Sequence, residues 1–243
     1  MTFAELLATE LRREPGRPLL TWYDERSGER VELSVTTYAN WVAKAASLLV
    51  DEHDLERGDV LLVDLPVHWL GPVFLGAAWT AGLAVAFPSS SAAPAAVVCG
   101  PDGLTTWAPR AHDVPVLACS LLPMGVRFAE PLPAGVHDVG VEVWGQPDTF
   151  IPYDPPGGDD VALVLAEGPV SQDELFGSLA AAGSPGTSTG GGRLLSAANP
   201  ASPPGVAAFA RPLVSAGSLV LVAGADAARL DAIAAMEHAT LVD

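Results

Sequence analysis

The sequence predicts an α/β protein built from layered, mostly parallel, doubly wound sheets. In the last third of the chain, short apolar runs alternate with segments of helical periodicity. Strands that alternate with helices at this pace usually form parallel sheets. The chain has 243 residues, of which 49% are hydrophobic, so it is long enough to bury a substantial core.

The first fifty residues predict a helix, a strand pair and a second helix. Thr2 and Glu5 have the spacing of a capping box at the start of the first helix. Alternating apolar residues on both sides of Ser27-Gly28 predict two strands joined by a turn. From Thr37 to Val50 the apolar residues, Trp41 among them, recur every three or four positions, which predicts the second helix.

Charge and lysine usage exclude several classes of function. The formal net charge is −17, which disfavours a nucleic-acid partner. The only lysine is Lys44, so a lysine-dependent phosphate loop, Schiff base or adenylation would have to use it. Lys44 lies off the apolar face of the second helix, and we expect it to point into solvent without a catalytic role.

A charge-free stretch of 19 residues, Trp69 to Phe87, is nearly long enough to cross a bilayer. Pro72 and Gly82 interrupt it, and Gly82 stands where a helix C-cap would. We therefore predict a buried helix at Val73–Ala81, a buried strand at Leu83–Phe87 and no association with a membrane.

Short apolar runs and helical periodicity predict the remaining elements. Strands are expected at Val60–Leu65, Ala96–Cys99, Val114–Cys119, Val126–Ala129, Val161–Leu165, Leu194–Ala197 and Leu219–Ala223. Helices are expected at Ser171–Ala182, Val206–Ala216 and Asp226–His238, followed by the opening of another strand at Thr240. The Pro- and Gly-rich segment 131–158 predicts a boundary between two lobes, 1–130 and 159–243, of a single domain.

The cysteines and histidines yield no catalytic residue and no metal site. Cys99 and Cys119 each end an apolar run and are expected to be buried free thiols, as in a reducing cytoplasm. The five histidines are far apart in sequence. Glu52-His53-Asp54 and His137-Asp138 come nearest to metal-ligand clusters, but solvated charged segments are the preferred interpretation.

Seven short segments, taken in order, carry a resemblance to a known family. They are Thr37-Tyr38-Ala39, Gly58-Asp59-Val60 with Leu65-Pro66, Phe74–Ala78 with Ala81-Gly82, Arg193–Ser196, and Leu213–Leu221. This order resembles the N-terminal part of AMP-dependent synthetases, the adenylate-forming ligases that activate acyl groups and amino acids. The resemblance covers nearly the whole chain and implies the fold of the N-terminal domain of adenylate-forming enzymes.

The sequence departs from this family where the chemistry is expected. The family's phosphate loop, rich in Ser, Thr and Gly and ending in Pro-Lys-Gly, should follow the strand Val161–Leu165, but here the chain reads Ala166-Glu167-Gly168-Pro169. Glu167 would place a negative charge where the family binds ATP phosphates. Ser184–Arg193 resembles the loop in composition but follows the next helix, so a flexible connection is expected there. The chain also stops before the family's adenylate-site motif and its C-terminal domain, and no catalytic residue is carried over.

Three hypotheses follow. The first is a non-catalytic member of the AMP-dependent synthetase-like superfamily, a pseudoenzyme that acts in the cytoplasm as a binding, scaffold or regulatory protein and needs no cofactor. The alternative is a nucleotide- or acyl-binding enzyme that uses ATP and Mg²⁺, with Glu167, Gly168, Ser196 and Asn199 lining a cleft at the strand ends. The third is a homodimer or a complex in which a partner protein covers the edge left near Thr240.

Overall fold

The structure, a computed structural model, describes residues 1–182 and 191–242, and over these residues it has twelve β-strands and eight α-helices. The strands are β1 (Pro18–Asp24), β2 (Glu29–Ser34), β3 (Val60–Asp64), β4 (Ala84–Ala86), β5 (Ala96–Cys99), β6 (Val116–Ala118), β7 (Val136–Asp138), β8 (Val161–Leu165), β9 (Gly168–Ser171), β10 (Arg193–Ser196), β11 (Ser218–Ala223) and β12 (Thr240–Leu241). The helices are α1 (Phe3–Arg13), α2 (Val35–Ser47), α3 (Leu70–Ala81), α4 (Leu104–Trp107), α5 (Val139–Glu142), α6 (Gln172–Ala182), α7 (Pro203–Val214) and α8 (Ala227–Glu237).

The strands form two sheets. The five-stranded sheet has the order β12-β10-β11-β1-β2, and the seven-stranded sheet has the order β7-β6-β5-β3-β4-β8-β9. Neighbouring strands are parallel except in the hairpins β1–β2 and β8–β9. Two mostly parallel sheets with helices between them confirm the predicted fold class.

Helices α1, α2 and α3 pack between the sheets and share one core with them. Thr2 caps α1 and forms the predicted capping box with Glu5. The hydroxyl of Tyr38 on α2 donates to the carbonyl of Pro72 on α3 (2.8 Å). Trp79 of α3 donates to the carbonyl of Ala162 on β8 (3.0 Å), which fixes the helix against the seven-stranded sheet.

The charge-free stretch is a buried helix and strand, as predicted. It forms α3 and β4, separated by Gly82 in the left-handed conformation (φ 78°). Among the described residues, no helix is both long enough and apolar enough to cross a membrane.

The predicted lobes do not correspond to the sheets, because each sheet takes strands from both parts of the sequence. β1 pairs with β11 from Leu20 to Asp24, and β4 pairs with β8 at Val85 and Leu163. The segment 131–158 contains β7 and α5 and forms one edge of the seven-stranded sheet.

Two expectations about single elements are corrected. Val126–Ala129 is not a strand, whereas β9 and the short α4 were not predicted. The helix expected to reach Val50 ends at Ser47 and continues as a π-helical turn, Leu48–Glu52. Of the predicted flexible connection 184–193, residues 184–190 lie outside the described residues.

Candidate functional site

The strand β8 ends in a tight turn where the sequence resemblance places a phosphate loop. Leu165 pairs with Gly168 across the hairpin, so only Ala166 and Glu167 form the turn. Gly168 has φ 131°, a conformation that L side chains rarely adopt, which explains glycine at this position. Such a turn does not have the length of a loop that wraps around phosphate groups with backbone N–H donors.

The N-terminus of α6 is occupied by its own residues. Ser171 Oγ accepts a hydrogen bond from the backbone N–H of Glu174 (3.2 Å), and the Glu174 carboxylate accepts from the backbone N–H of Ser171 (2.8 Å). Asp173 adds a second acid in the first turn. This capping box was predicted, and it places acidic side chains at the helix end that would otherwise attract an anion.

Ser196 and Asn199, two of the expected cleft residues, bond to the backbone. Asn199 Nδ2 donates to the carbonyl of Leu65 (2.8 Å), and its Oδ1 accepts from the N–H of Ala201 (3.0 Å). Ser196 is buried, and its Oγ accepts from the N–H of Ala198 (3.1 Å). Asn199 therefore joins the connection after β10 to the end of β3, and thus one sheet to the other.

The four expected cleft residues lie at the same edge of the structure, but they do not form one site. β3 and β8 end at the same edge with β4 between them, which separates their ends by about 10 Å at the usual strand spacing. Within the described part of the chain, no hydrogen bond joins Glu167 or Gly168 to Ser196 or Asn199.

A groove of about 480 Å³ lies beside α2 and β2, away from the residues expected from the sequence. Its apolar wall is formed by Trp41, Trp69, Trp144 and Met124. The ring of Trp41 lies 5.0 Å from that of Trp69 and 5.3 Å from that of Trp144, centroid to centroid. The volume is in the range of small-molecule pockets.

No sequence pattern indicates this groove. Trp41 belongs to the apolar face predicted for α2, and Trp144 lies in the segment taken as a boundary. Three of the six tryptophans of the sequence meet here. The number of tryptophans could have indicated an aromatic site. Their spacing in the sequence, however, does not predict which of them meet.

Lys44 lies at the groove and does not point freely into solvent. Only 18% of its side chain is exposed, and its Nζ lies 3.2 Å from Asp148 Oδ1. Nζ also donates to the carbonyl of Gln146. The single lysine therefore ties α2 to the chain after α5, and its ammonium group is already occupied.

Two histidines assigned to separate solvated segments are in contact. His53 Nε2 lies 3.1 Å from Glu142 Oε2, and His137 Nδ1 lies 3.0 Å from Glu142 Oε1. Only 6% of the His53 side chain is exposed, so the solvated interpretation is wrong for this residue. Spacing in the sequence carries no signal for this contact, because β7 and α5 bring the partners to the end of α2.

Comparison with known proteins gives a sequence relative. No family model matches the chain. A curated protein of Mycobacterium tuberculosis described as "TIGR03089 family protein" is 35% identical over 242 residues, which cover 98% of this chain and 96% of that protein.

Solved structures resemble the chain in fold. An acyl-CoA synthetase of Brucella canis superimposes with a TM-score of 0.82 at 18% identity, over 99% of this chain and 47% of that one. The N-terminal domain of FACL13 from Mycobacterium tuberculosis gives 0.72 at 12% identity, over 98% and 61%. An acetoacetyl-CoA synthetase of Streptomyces lividans gives 0.74 at 16% identity, over 92% and 38%. The chain thus spans between 38% and 61% of the length of these structures.

Proposed function

This chain belongs to the TIGR03089 family, and we propose that it is a non-catalytic binding protein within the superfamily of AMP-dependent synthetases. The fold supports this superfamily, because it is that of the N-terminal part of acyl-CoA synthetases. The observation that carries the non-catalytic role is the two-residue turn of Ala166 and Glu167 between β8 and β9.

The turn between β8 and β9 and the start of α6 disfavour the binding of ATP for three reasons. A triphosphate is held by several backbone N–H groups of a loop at a strand end, and two turn residues do not supply them. Glu167 brings a like charge to the phosphates. The first turn of α6, which would complete a phosphate site, is capped by Ser171 and Glu174.

Lys44 supports the same proposal. A lysine that stabilises a transferring phosphate must have its ammonium group free to reach that phosphate. The ammonium of Lys44, the only lysine in the sequence, contacts Asp148 and the Gln146 carbonyl.

Two measurements on the purified protein test the proposal. ATP–pyrophosphate exchange with a panel of fatty and amino acids is expected to stay at the level of a heat-inactivated control. The Tm is expected to be unchanged by Mg-ATP or AMP, although a ligand at 100 times its Kd would add about 2.7 kcal/mol, or roughly 5 to 10 °C for a chain of this size. Adenylate formation above the control would refute the non-catalytic role.

The groove favours a second candidate function, the binding of an acyl-type ligand. Its wall of three tryptophans and a methionine suits an apolar chain, since aromatic and Met side chains bury large apolar areas. This candidate keeps the acyl-binding part of the alternative hypothesis but places the ligand in the groove. The cleft residues Ser196 and Asn199 already form hydrogen bonds with the backbone.

Quenching of tryptophan fluorescence by fatty acids of increasing chain length tests the groove. Trp144→Ala is expected to weaken binding at least about tenfold, because it removes one wall of a pocket of this kind. Tyr153→Ala is the matched control, since Tyr153 is fully exposed and lies outside the groove. If Glu167→Ala and Asn199→Ala weaken binding and Trp144→Ala does not, the ligand lies in the cleft at the strand ends instead.

We further propose that the protein needs no cofactor for this role and works in the reducing cytoplasm. The second part is supported by Cys99 and Cys119, which are free, buried and located at the ends of the neighbouring strands β5 and β6.

A further inference from the structure

The residues His53, His137 and Glu142 place three potential metal ligands around one point. One ligand atom from each residue can be chosen so that all three lie within 4.8 Å of one another. The imidazole rings of the two histidines are 4.4 Å apart, centroid to centroid, and nearly perpendicular. We propose that these residues form a binding site for a divalent transition-metal ion, with Zn²⁺ as the expected occupant.

The backbone holds the three ligands independently of any ion. His53 follows the π-helical turn Leu48–Glu52, and turns of this kind are frequent at functional sites. His137 lies on β7, which pairs with β6. Glu142 ends α5, which the buried side chains of Val139 and Val143 fix against the core.

A side-chain bridge keeps these elements together. Gln146 Nε2 lies 3.2 Å from Glu52 Oε1 and 3.4 Å from the carbonyl of Glu142, and it donates to both. This bridge joins the π-helical turn to the chain after α5. The ligands therefore come from a preformed arrangement, which reduces the ordering cost of binding.

The donor set matches a transition metal better than Mg²⁺ or Ca²⁺. Two imidazole nitrogens and one carboxylate suit Zn²⁺ and its neighbours, whereas Mg²⁺ and Ca²⁺ prefer sites made of oxygen. In a tetrahedral zinc site the donor atoms are roughly 3.4 Å apart, as bond lengths of about 2.0 to 2.2 Å require. The two nitrogen–oxygen distances of 3.0 and 3.1 Å are already close to this value.

The charges around Glu142 also favour a cation. In residues 1–182 and 191–242, no Lys or Arg lies within ion-pair distance of the Glu142 carboxylate, whose hydrogen-bond partners include the two imidazoles. His137 and Glu142 keep 40% and 29% of their side chains exposed, so an ion can reach them. Water would complete the fourth position, as in zinc sites with three protein ligands.

Metal binding changes the proton positions on the rings. Without an ion, the ring nitrogens that face the Glu142 carboxylate, Nε2 of His53 and Nδ1 of His137, donate N–H to it, because a carboxylate accepts. With the ion bound, these two nitrogens become ligands, and each neutral ring carries its proton on its other nitrogen. The ion would link the end of α2 to the edge of the seven-stranded sheet.

Calorimetric titration with ZnCl₂ tests the proposal on untagged full-length protein that has been dialysed against EDTA. We expect one Zn²⁺ per chain, and a Tm rise of roughly 5 to 10 °C at free Zn²⁺ 100 times its Kd. Mg²⁺ should give no shift. Co²⁺ in place of Zn²⁺ should show the visible absorption of a tetrahedral site.

Two variants assign the site. Glu142→Gln and His137→Ala should each weaken Zn²⁺ binding about tenfold or more. Because both positions are partly exposed, the variants are expected to fold, and circular dichroism verifies this. His112→Ala is the control, because His112 is exposed and, among the described residues, forms an ion-pair contact with Asp113 alone. The absence of 1:1 binding in the wild type, or equal affinity in the folded site variants and the wild type, would overturn the proposal.

Discussion

At the scale of single residues, His68 is a buried histidine that the structure keeps neutral. Its ring packs edge-on against Trp22, with centroids 4.4 Å apart, and its Nδ1 accepts a hydrogen bond from the N–H of Leu70 (3.2 Å). Burial lowers the pKa of His68 to about 4, because the charged ring would lose its hydration.

This pKa predicts a loss of stability in mild acid. The unfolded chain binds a proton at His68 near pH 6.5, whereas the folded chain binds it only near pH 4. The free energy of unfolding therefore falls as the pH drops through this window, by about 2 kcal/mol between pH 7.5 and 5. His68→Phe, which keeps an aromatic ring, should remove this contribution in urea unfolding at the two pH values, while His112→Ala should retain it. An unchanged pH dependence in His68→Phe would contradict the prediction.

The two thiols are predicted to be inert in the folded protein. Burial, together with the nearby Asp64 carboxylate, raises the pKa of Cys99 to about 12, and burial raises the pKa of Cys119 as well. Since the thiolate is the reactive form, a disulfide reagent at pH 8 should modify neither thiol in native protein and both in denaturant. Fast reaction of one thiol without denaturant would show that its strand end opens.

At the scale of elements, the close approach of α3 to α1 and α2 depends on Gly76. A Cβ at this position would lie 2.8 Å from Phe3 Cζ and 2.9 Å from Val42 Cγ2, and it would also overlap the hydroxyl of Tyr38. These neighbours are buried side chains of the shared core. The contact explains glycine in a helix where alanine has the higher helix propensity.

Gly76→Ala is therefore expected to destabilise the protein by about 1 to 3 kcal/mol, the usual range for overpacking a core. Gly177→Ala in α6 is the matched control, because a Cβ at that position would meet no side chain within 4 Å in the part of the chain that the structure describes. The control should gain about 0.5 to 1 kcal/mol from helix propensity. Denaturant unfolding of both variants measures the difference, and equal effects would argue against the close contact.

The segment 131–158, predicted as a boundary between lobes, is bound to both sides of the molecule. Proline and glycine predicted a linker, yet several contacts hold this segment and the turn after it against the rest of the molecule. Arg57 lies 3.0 Å from Asp154 and binds Asp160 with two nitrogens at 2.8 Å each. Lys44 holds Asp148. The charged partners are distant in sequence, so no local pattern indicates these contacts.

At the scale of the whole molecule, the pairing of β1 with β11 and of β4 with β8 predicts that neither lobe folds alone. In each of the fragments 1–130 and 159–243, a buried parallel strand would lack the strand with which it pairs in the full chain. Neither fragment is expected to show cooperative thermal unfolding, whereas the full chain should. A cooperative transition in one isolated fragment would show that this lobe folds on its own.

The hypothesis that the chain forms a homodimer also concerns the whole molecule. β12 and β2 are the outer strands of the five-stranded sheet, and an unpaired outer strand is a template for another chain. If a second copy pairs there, light scattering after size-exclusion chromatography should give twice the chain mass at micromolar concentration. A monomer at every concentration would exclude an obligate homodimer.

The sequence by itself determined the fold class, most of the helices and strands, the capping boxes and the resemblance to the N-terminal part of AMP-dependent synthetases. These follow from periodicity, capping spacing and segment order, which are local properties of the chain. The short turn Ala166-Glu167, where the resemblance places a phosphate loop, was also visible in the sequence, because the length of a turn is a local property of the chain. Only the tertiary structure decided which strands share a sheet, how Trp41, Trp69 and Trp144 form a groove, and that His53 and His137 meet at Glu142. Contacts between distant segments depend on how the elements pack, and residue spacing carries no record of that.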